Sequence, residues 1–254
     1  MPNTIAPCDS HANPKTTAII LGASGSVGKA LLAEIVRSKR FARVVVVGRR
    51  SIFQNAVERA GAMAIVEERL VPDMQPQALR QTVAAALREG DADAVGFSVL
   101  GVGAGTASLS LEQHRAVDVE LNAAFAAGLK DSGRVQHFAF MSAIGADIKA
   151  SETGSGAAGM PRYARVKGEA EQAVLDQGIP VVSIFRPSVI IGSQHTPGAL
   201  AAVLSLVSPL IPAKYRPIQA TQIAQAMVAV TKALPSESAI YTYKEMAKLA
   251  ASAA

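Results

Sequence analysis

Residues 17–28 read T-A-I-I-L-G-A-S-G-S-V-G, and this stretch decides the fold. Thr17 to Leu21 is β-rich and apolar, and Gly22, Gly25 and Gly28 then recur at every third position. From Ser26 to Lys39 the apolar residues Val27, Leu31, Leu32, Ile35 and Val36 fall at helical spacing. The order predicts a strand, a tight turn and a helix. Glycines let the backbone turn sharply and approach a ligand closely, while Ala23, Ser24, Ser26 and Val27 fill the turn and the first helical turn. Unpaired N–H groups and a partial positive charge at the helix start favour a pyrophosphate there. The stretch is thus a G-x-x-G-x-x-G variant of the dinucleotide-binding fingerprint, and its place between strand and helix sets it apart from an ordinary glycine turn.

Outward from this unit the alternation continues. Arg43 to Val47 is a second strand whose four consecutive valines, Val44 to Val47, suit a parallel sheet covered on both faces. Ala62 to Val66 predicts a third strand, Gln77 to Arg88 a helix, Ala94 to Val99 a fourth strand and Leu111 to Lys130 a long helix. Val135 to Met141 predicts a fifth strand, Arg162 to Gln177 a helix and Val181 to Phe185 a sixth strand. The expected fold is α/β, a doubly wound parallel sheet of Rossmann type. After Phe185 the pattern turns to helical segments near 198–207, 220–233 and 243–251, a small C-terminal extension on the substrate side. Residues 151–159, rich in Gly, Ser and Ala, predict a loop.

Composition bounds the function. With 254 residues, 50% hydrophobic and 18% charged, the chain can bury one substantial core, so residues 16–254 are expected to form one domain. The net charge of +5 comes without a block of more than two consecutive Lys or Arg and with only 4% aromatics, which argues against nucleic acid and leaves room for a phosphorylated small ligand. A nucleic-acid-binding module would rest on the basic balance alone. Cys8 is the one cysteine, which points to a reducing compartment. Residues 1–15 carry no secretory or transit pattern and predict a disordered extension, with the cytoplasm as the default location. The longest largely apolar run, Ala199 to Val207, interrupted by Ser205, is too short for stable membrane insertion.

The second strand ends at Gly48-Arg49-Arg50, where an NAD-selective site would carry an acid for the adenosine ribose. Guanidinium groups here instead suit a 2′-phosphate, which predicts NADP(H), with NAD(H) disfavoured; the competing reading is that both arginines cap the strand end in solvent. Leu100 and Gly101, in S-V-L-G-V-G after the fourth strand, either pass beneath the cofactor or belong to a flexible loop.

Tyr163 and Lys167 stand at i and i+4 in Y-A-R-V-K, on one helix face, and Ser142 ends the fifth strand towards the same crevice. A nearby ammonium and an oxidised nicotinamide would both favour tyrosinate, which makes Tyr163 a candidate general acid/base.

The stretches G-A-S-G-S-V-G-K, V-V-V-G-R-R, M-S-A-I-G-A-D, Y-A-R-V-K-G-E-A-E and F-R-P-S-V-I-I-G follow one another over most of residues 17–192. In them the chain resembles an atypical short-chain dehydrogenase/reductase, and more closely the Tat-interacting-protein oxidoreductase branch. The resemblance implies that Ser142 orients a substrate carbonyl, Tyr163 moves the proton and Lys167 holds the nicotinamide ribose. It also implies that Pro187, Ser188 and Val189 lie against the nicotinamide carboxamide. Where many members carry a catalytic Asn this chain has Asp118, with Asn122 one turn later, a departure from the pattern on which a proton relay through that position depends.

His114, His137 and His195 lack metal-ligand spacing and are assigned to no chemistry. Asp73 reads either as a loop cap or as a contact to adenine. The expected activity is NADP(H)-dependent hydride transfer to or from a small-molecule carbonyl or alcohol, in a pocket completed by Leu206, Val207, Leu210 and Ile211. The alternative is a coenzyme-binding regulator acting through a protein partner with little or no turnover. By analogy with relatives, the helices at 111–130 and 162–177 would pair in a homodimer.

Overall fold

A computed structural model describes residues 16–53, 66–91, 93–191 and 212–252. Strand β1 (Thr16–Leu21) leads into helix α1 (Ser26–Arg37), followed by β2 (Phe41–Gly48), β3 (Val66–Leu70), α2 (Pro76–Ala86) and β4 (Ala94–Ser98). A continuous helix α3 then runs over 111–131. It is α-helical over Leu111–Arg115 and Leu121–Asp131, with a π-helical segment, Ala116–Glu120, between them. Next come β5 (Val135–Met141), α4 (Pro161–Leu175), β6 (Val181–Phe185), β7 (Ile190–Ile191), β8 (Ile218–Gln219), α5 (Ala220–Ala229), β9 (Ala239–Tyr241) and α6 (Tyr243–Ala251).

Seven strands form one parallel sheet in the order β3-β2-β1-β4-β5-β6-β9, and β7 and β8 pair in a small second sheet. The chain moves outward from β1 to β3 on one side and from β4 to β9 on the other. The crossover therefore opens a crevice at the carboxyl ends of β1 and β4, where ligands bind in sheets of this kind.

The unbroken apolar runs of the central strands follow from burial on both faces. Ala18 and Ile20 of β1 point into a core with Val44, Val46, Leu31, Ile35, Ile223, Met227 and Met246, under α1, α5 and α6. Ile19 and Leu21 point into the opposite core with Val45, Val47, Leu79, Val83, Phe125 and Val174, under α2, α3 and α4.

Differences from the sequence reading lie at the sheet's edges. The third strand is Val66–Leu70, starting where the predicted Ala62 to Val66 ends; positions 62–65 lie outside the described residues. As an edge strand it needs no apolar run, and its Glu67 instead meets Arg43 of β2 at 2.8 Å. The C-terminal extension is not wholly helical: Ala239–Tyr241 adds the seventh strand beside Ser183–Phe185, and its three residues, the middle one exposed and the outer two half-buried, are too few to offer a period to read. The helix expected over 220–233 ends at Ala229. The helix expected at 198–207, the residues Leu206, Val207, Leu210 and Ile211, and the extension 1–15 lie outside the described residues.

Candidate functional site

At the crossover the β1–α1 turn presses against the turn after β4. Gly22 has φ +89°, a left-handed conformation, and a Cβ there would stand 2.7 Å from the Leu100 nitrogen. A Cβ on Gly28 would lie 2.0 Å from the Gly22 carbonyl oxygen, so α1 docks on the turn through a bare backbone. Gly25 differs. It is the N-cap of α1, brings no side chain to cap the helix, and has only the Gly22 carbonyl oxygen near its Cβ position, at 3.6 Å. The space before the helix start is thus left to a ligand, as a pyrophosphate requires. Ala23 and Val27 are buried, Ser24 is exposed and Ser26 half-buried.

A cleft of about 770 Å³ opens from this turn, within the usual size range of small-molecule sites. It is lined by Gly22, Ala23 and Ser24, by 46–52 at the end of β2, by Asp73 and by Leu100, Gly101 and Val102. Arg49 and Arg50 stand exposed on its rim, and neither guanidinium takes part in an ion pair among the described residues. Their loop is fixed from β3: the Ile52 amide and the Ser51 hydroxyl donate to the Glu68 carboxylate at 2.7 and 2.9 Å.

The predicted reacting residues lie beyond Gly101. A Cβ on Gly101 would come within 3.2 Å of Lys167 Nζ and 3.1 Å of Asp118 Oδ1, which brings these side chains to the cleft's inner end. Lys167, on α4, is buried and donates from Nζ to Asp118 Oδ1. Burial works against its ammonium, but the charges of Asp118, Tyr163 and Glu171 and the bond to Asp118 outweigh this and hold its pKa above the ordinary lysine value. Tyr163 is half-buried in the first turn of the same helix, its ring centroid 5.7 Å from Lys167 Nζ.

Ser142 follows β5. Its amide donates to the Phe185 carbonyl at 2.7 Å, but its buried hydroxyl has no hydrogen-bond partner among the described residues. The same loop reaches α4 through the Asp147 amide, which donates to the Ala164 carbonyl at 2.9 Å. Pro187, Ser188 and Val189 run alongside it: the Ile144 amide donates to the Pro187 carbonyl at 2.8 Å, and the Ser188 hydroxyl to the Arg216 carbonyl. Val189 is exposed.

The structure separates Asp118 from Asn122. Asp118 sits in the middle of the π-helical segment, where the widened turn accommodates a functional side chain in many helices. Its Oδ2 accepts from the Val102 amide at 3.0 Å while Oδ1 takes Lys167. Asn122 instead bonds Ser98 Oγ at 2.5 Å and donates to the Asp118 carbonyl at 2.9 Å, which ties α3 to the end of β4.

His114, to which the sequence assigns no chemistry, lies in the site. Fully buried, its ring is 5.8 Å from that of Tyr163, and Nε2 is 3.8 Å from Asp118 Oδ2. The i, i+4 spacing of His114 and Asp118 was the available signal. Burial chiefly holds His114 below the ordinary imidazole pKa; Asp118 opposes this, and Lys167 and Arg162 add to it. His137 is a buried core residue of β5 bonded to Ser183 Oγ at 2.8 Å, and His195 lies outside the described residues.

Comparison with known proteins agrees with this geometry. The model of the NAD(P)H-binding family matches residues 22–233. Protein HTATIP2 of Rattus norvegicus is 30% identical over 173 residues, which cover 68% of this chain and 62% of the rat protein. Protein FMP52, mitochondrial, of Eremothecium gossypii is 30% identical over 179 residues, 70% of this chain and 68% of the fungal protein. The chain therefore spans less than two thirds of the rat relative's length. A short-chain dehydrogenase/reductase from Serratia marcescens has the same fold, with TM-score 0.65 at 16% identity, over 91% of this chain and 98% of that one. A family match across the sheet, with the glycine turn and cleft at its crossover, leads to one assignment: the chain belongs to the NAD(P)H-binding family, as a member of the atypical short-chain dehydrogenase/reductase type.

Proposed function

We propose that this protein is an NADP(H)-dependent oxidoreductase that moves hydride between the coenzyme and a small-molecule carbonyl or alcohol. The observation that carries this reading is Ser142, a buried hydroxyl left without a partner among the described residues at the carboxyl end of β5. An unsatisfied buried hydroxyl costs roughly 1–3 kcal/mol, a cost that a substrate oxygen would relieve.

In this reading Ser142 donates to the substrate oxygen. Tyr163 gives that oxygen its proton in reduction and removes it in oxidation. Lys167 supports the phenolate charge and reaches for the nicotinamide ribose, while Pro187, Ser188 and Val189 flank the carboxamide. The backbone of residues 22–28 receives the pyrophosphate, Leu100 and Gly101 pass beneath the coenzyme, and Arg49 and Arg50 pair with the 2′-phosphate. When bound, the nicotinamide supplies or accepts the hydride at its ring carbon.

A second reading, a coenzyme-binding sensor with little turnover, is favoured by Asp118: its carboxylate already engages the ammonium that the reaction would use. Oxidation of NADPH with a panel of carbonyl compounds separates the two. The enzyme reading expects turnover that falls by about 10²–10⁴-fold in Tyr163→Phe with NADPH affinity retained. Tight NADPH binding without turnover across the panel would favour the sensor.

A further inference from the structure

We propose that His114 is a positioning residue for Tyr163 and Lys167: its ring braces the phenol ring, and its protonation governs how Asp118 is shared among its neighbours. The inference rests on the reading of Tyr163 and Lys167 given above, but its geometry stands on its own. His114 Nε2 is 3.8 Å from Asp118 Oδ2, beyond hydrogen-bond range, and neither ring nitrogen has a partner among the described residues. Asp118 is meanwhile fully engaged, by Lys167 at one oxygen and by the Val102 amide at the other. His114 thus stands one short step behind a carboxylate that holds both the Lys167 ammonium and the turn lining the coenzyme cleft.

The charged and titratable groups that act on His114 are Asp118 from its own helix and Arg162, Tyr163 and Lys167 from α4. One carboxylate already faces two cations there. A proton on His114 adds a third and draws Oδ2 from the Val102 amide towards Nε2. The turn at Gly101 and Val102 loses its tether, and the cleft loosens on the acid side. With a neutral ring, Asp118 stays with Lys167 and Val102.

NMR titration of the whole protein tests this without turnover. The expected result is a His114 imidazole that titrates below the ordinary histidine range, with the Val102 amide resonance following the same curve in wild type and not moving in His114→Phe. NADPH affinity should fall on the acid side by up to about tenfold per pH unit more in wild type than in His114→Phe. For turnover, His114→Phe, which keeps a ring against Tyr163, should lose the acid limb of kcat/KM, whereas His114→Gln, which keeps an amide near Asp118, should lower kcat more than KM. A Val102 resonance indifferent to His114, or identical acid limbs in wild type and His114→Phe, overturns the proposal. Absence of carbonyl turnover or of NADPH binding would overturn the function proposed above, and the Val102 titration would still decide the role of His114.

Discussion

Lys167 and Asp118 form an ion pair between α4 and α3 with their side chains only 7% and 1% exposed. A pair so far from water gains little net stability, because desolvating both charges offsets most of their attraction; breaking it is another matter. Lys167→Met strands a buried carboxylate and is expected to cost about 3–5 kcal/mol in urea unfolding. Lys167→Met combined with Asp118→Leu removes both charges and should recover most of that loss. If the double variant is as unstable as the single one, the pair is not what the interior tolerates so poorly.

Gly25 and Gly28 lie in one motif but have different neighbours. Gly28→Ala drives a methyl group into the Gly22 carbonyl, at 2.0 Å in the unrelaxed geometry, and should destabilise the fold by about 1–3 kcal/mol as an overpacked site does. Gly25→Ala meets the chain only at 3.6 Å, so its stability should stay within about 0.5 kcal/mol while NADPH affinity drops at least about tenfold. Thermal unfolding and coenzyme titration on the same samples distinguish the two; equal stability losses would show that Gly25 serves packing.

Coenzyme choice is expected to depend on the cleft rim. Arg49→Asp replaces the proposed donor to the 2′-phosphate with a like charge. It should weaken NADPH by about 10–100-fold, the worth of a charge-assisted hydrogen bond of roughly 1.5–3 kcal/mol, with little effect on NADH. Fluorescence titration with both coenzymes measures the ratio, and an unchanged ratio in Arg49→Asp would remove the arginine from the selectivity argument.

His137 makes the fold sensitive to acid. Burial lowers its pKa from 6.5 to about 4. Above about pH 6.5 both folded and unfolded chains hold it neutral; below that the unfolded chain takes up the proton first, so stability falls as pH drops towards 4. The loss over this window is on the order of 3 kcal/mol. Denaturant unfolding from pH 7 to 4.5 should show it, and His137→Asn should flatten the slope whatever its absolute stability. A slope unchanged in His137→Asn would mean that other groups cause the acid loss.

The glycine turn and the central strands were legible because their determinants are local. Val44 to Val47 announces burial on both faces through four consecutive apolar side chains, and the helix after Ser26 through its 3.6-residue period. The edge strands Val66–Leu70 and Ala239–Tyr241 were missed or shifted because each has one neighbour and a half-exposed face. Tyr163 and Lys167 were found as a spacing on one helix. His114 was not, since its approach to Tyr163 comes from a separate helix.

The chain's own order of residues determined the doubly wound sheet, the glycine turn, the arginines at the end of β2 and the Tyr-Lys pair, all of which are set within a few residues of one another. Only the tertiary structure decided that Asp118, and not Asn122, holds Lys167, 49 positions away, and that His114 stands behind both. Those contacts depend on how two helices lie across a sheet and on the π-helical segment that sets the direction of Asp118, and periodicity along a single chain carries no record of either.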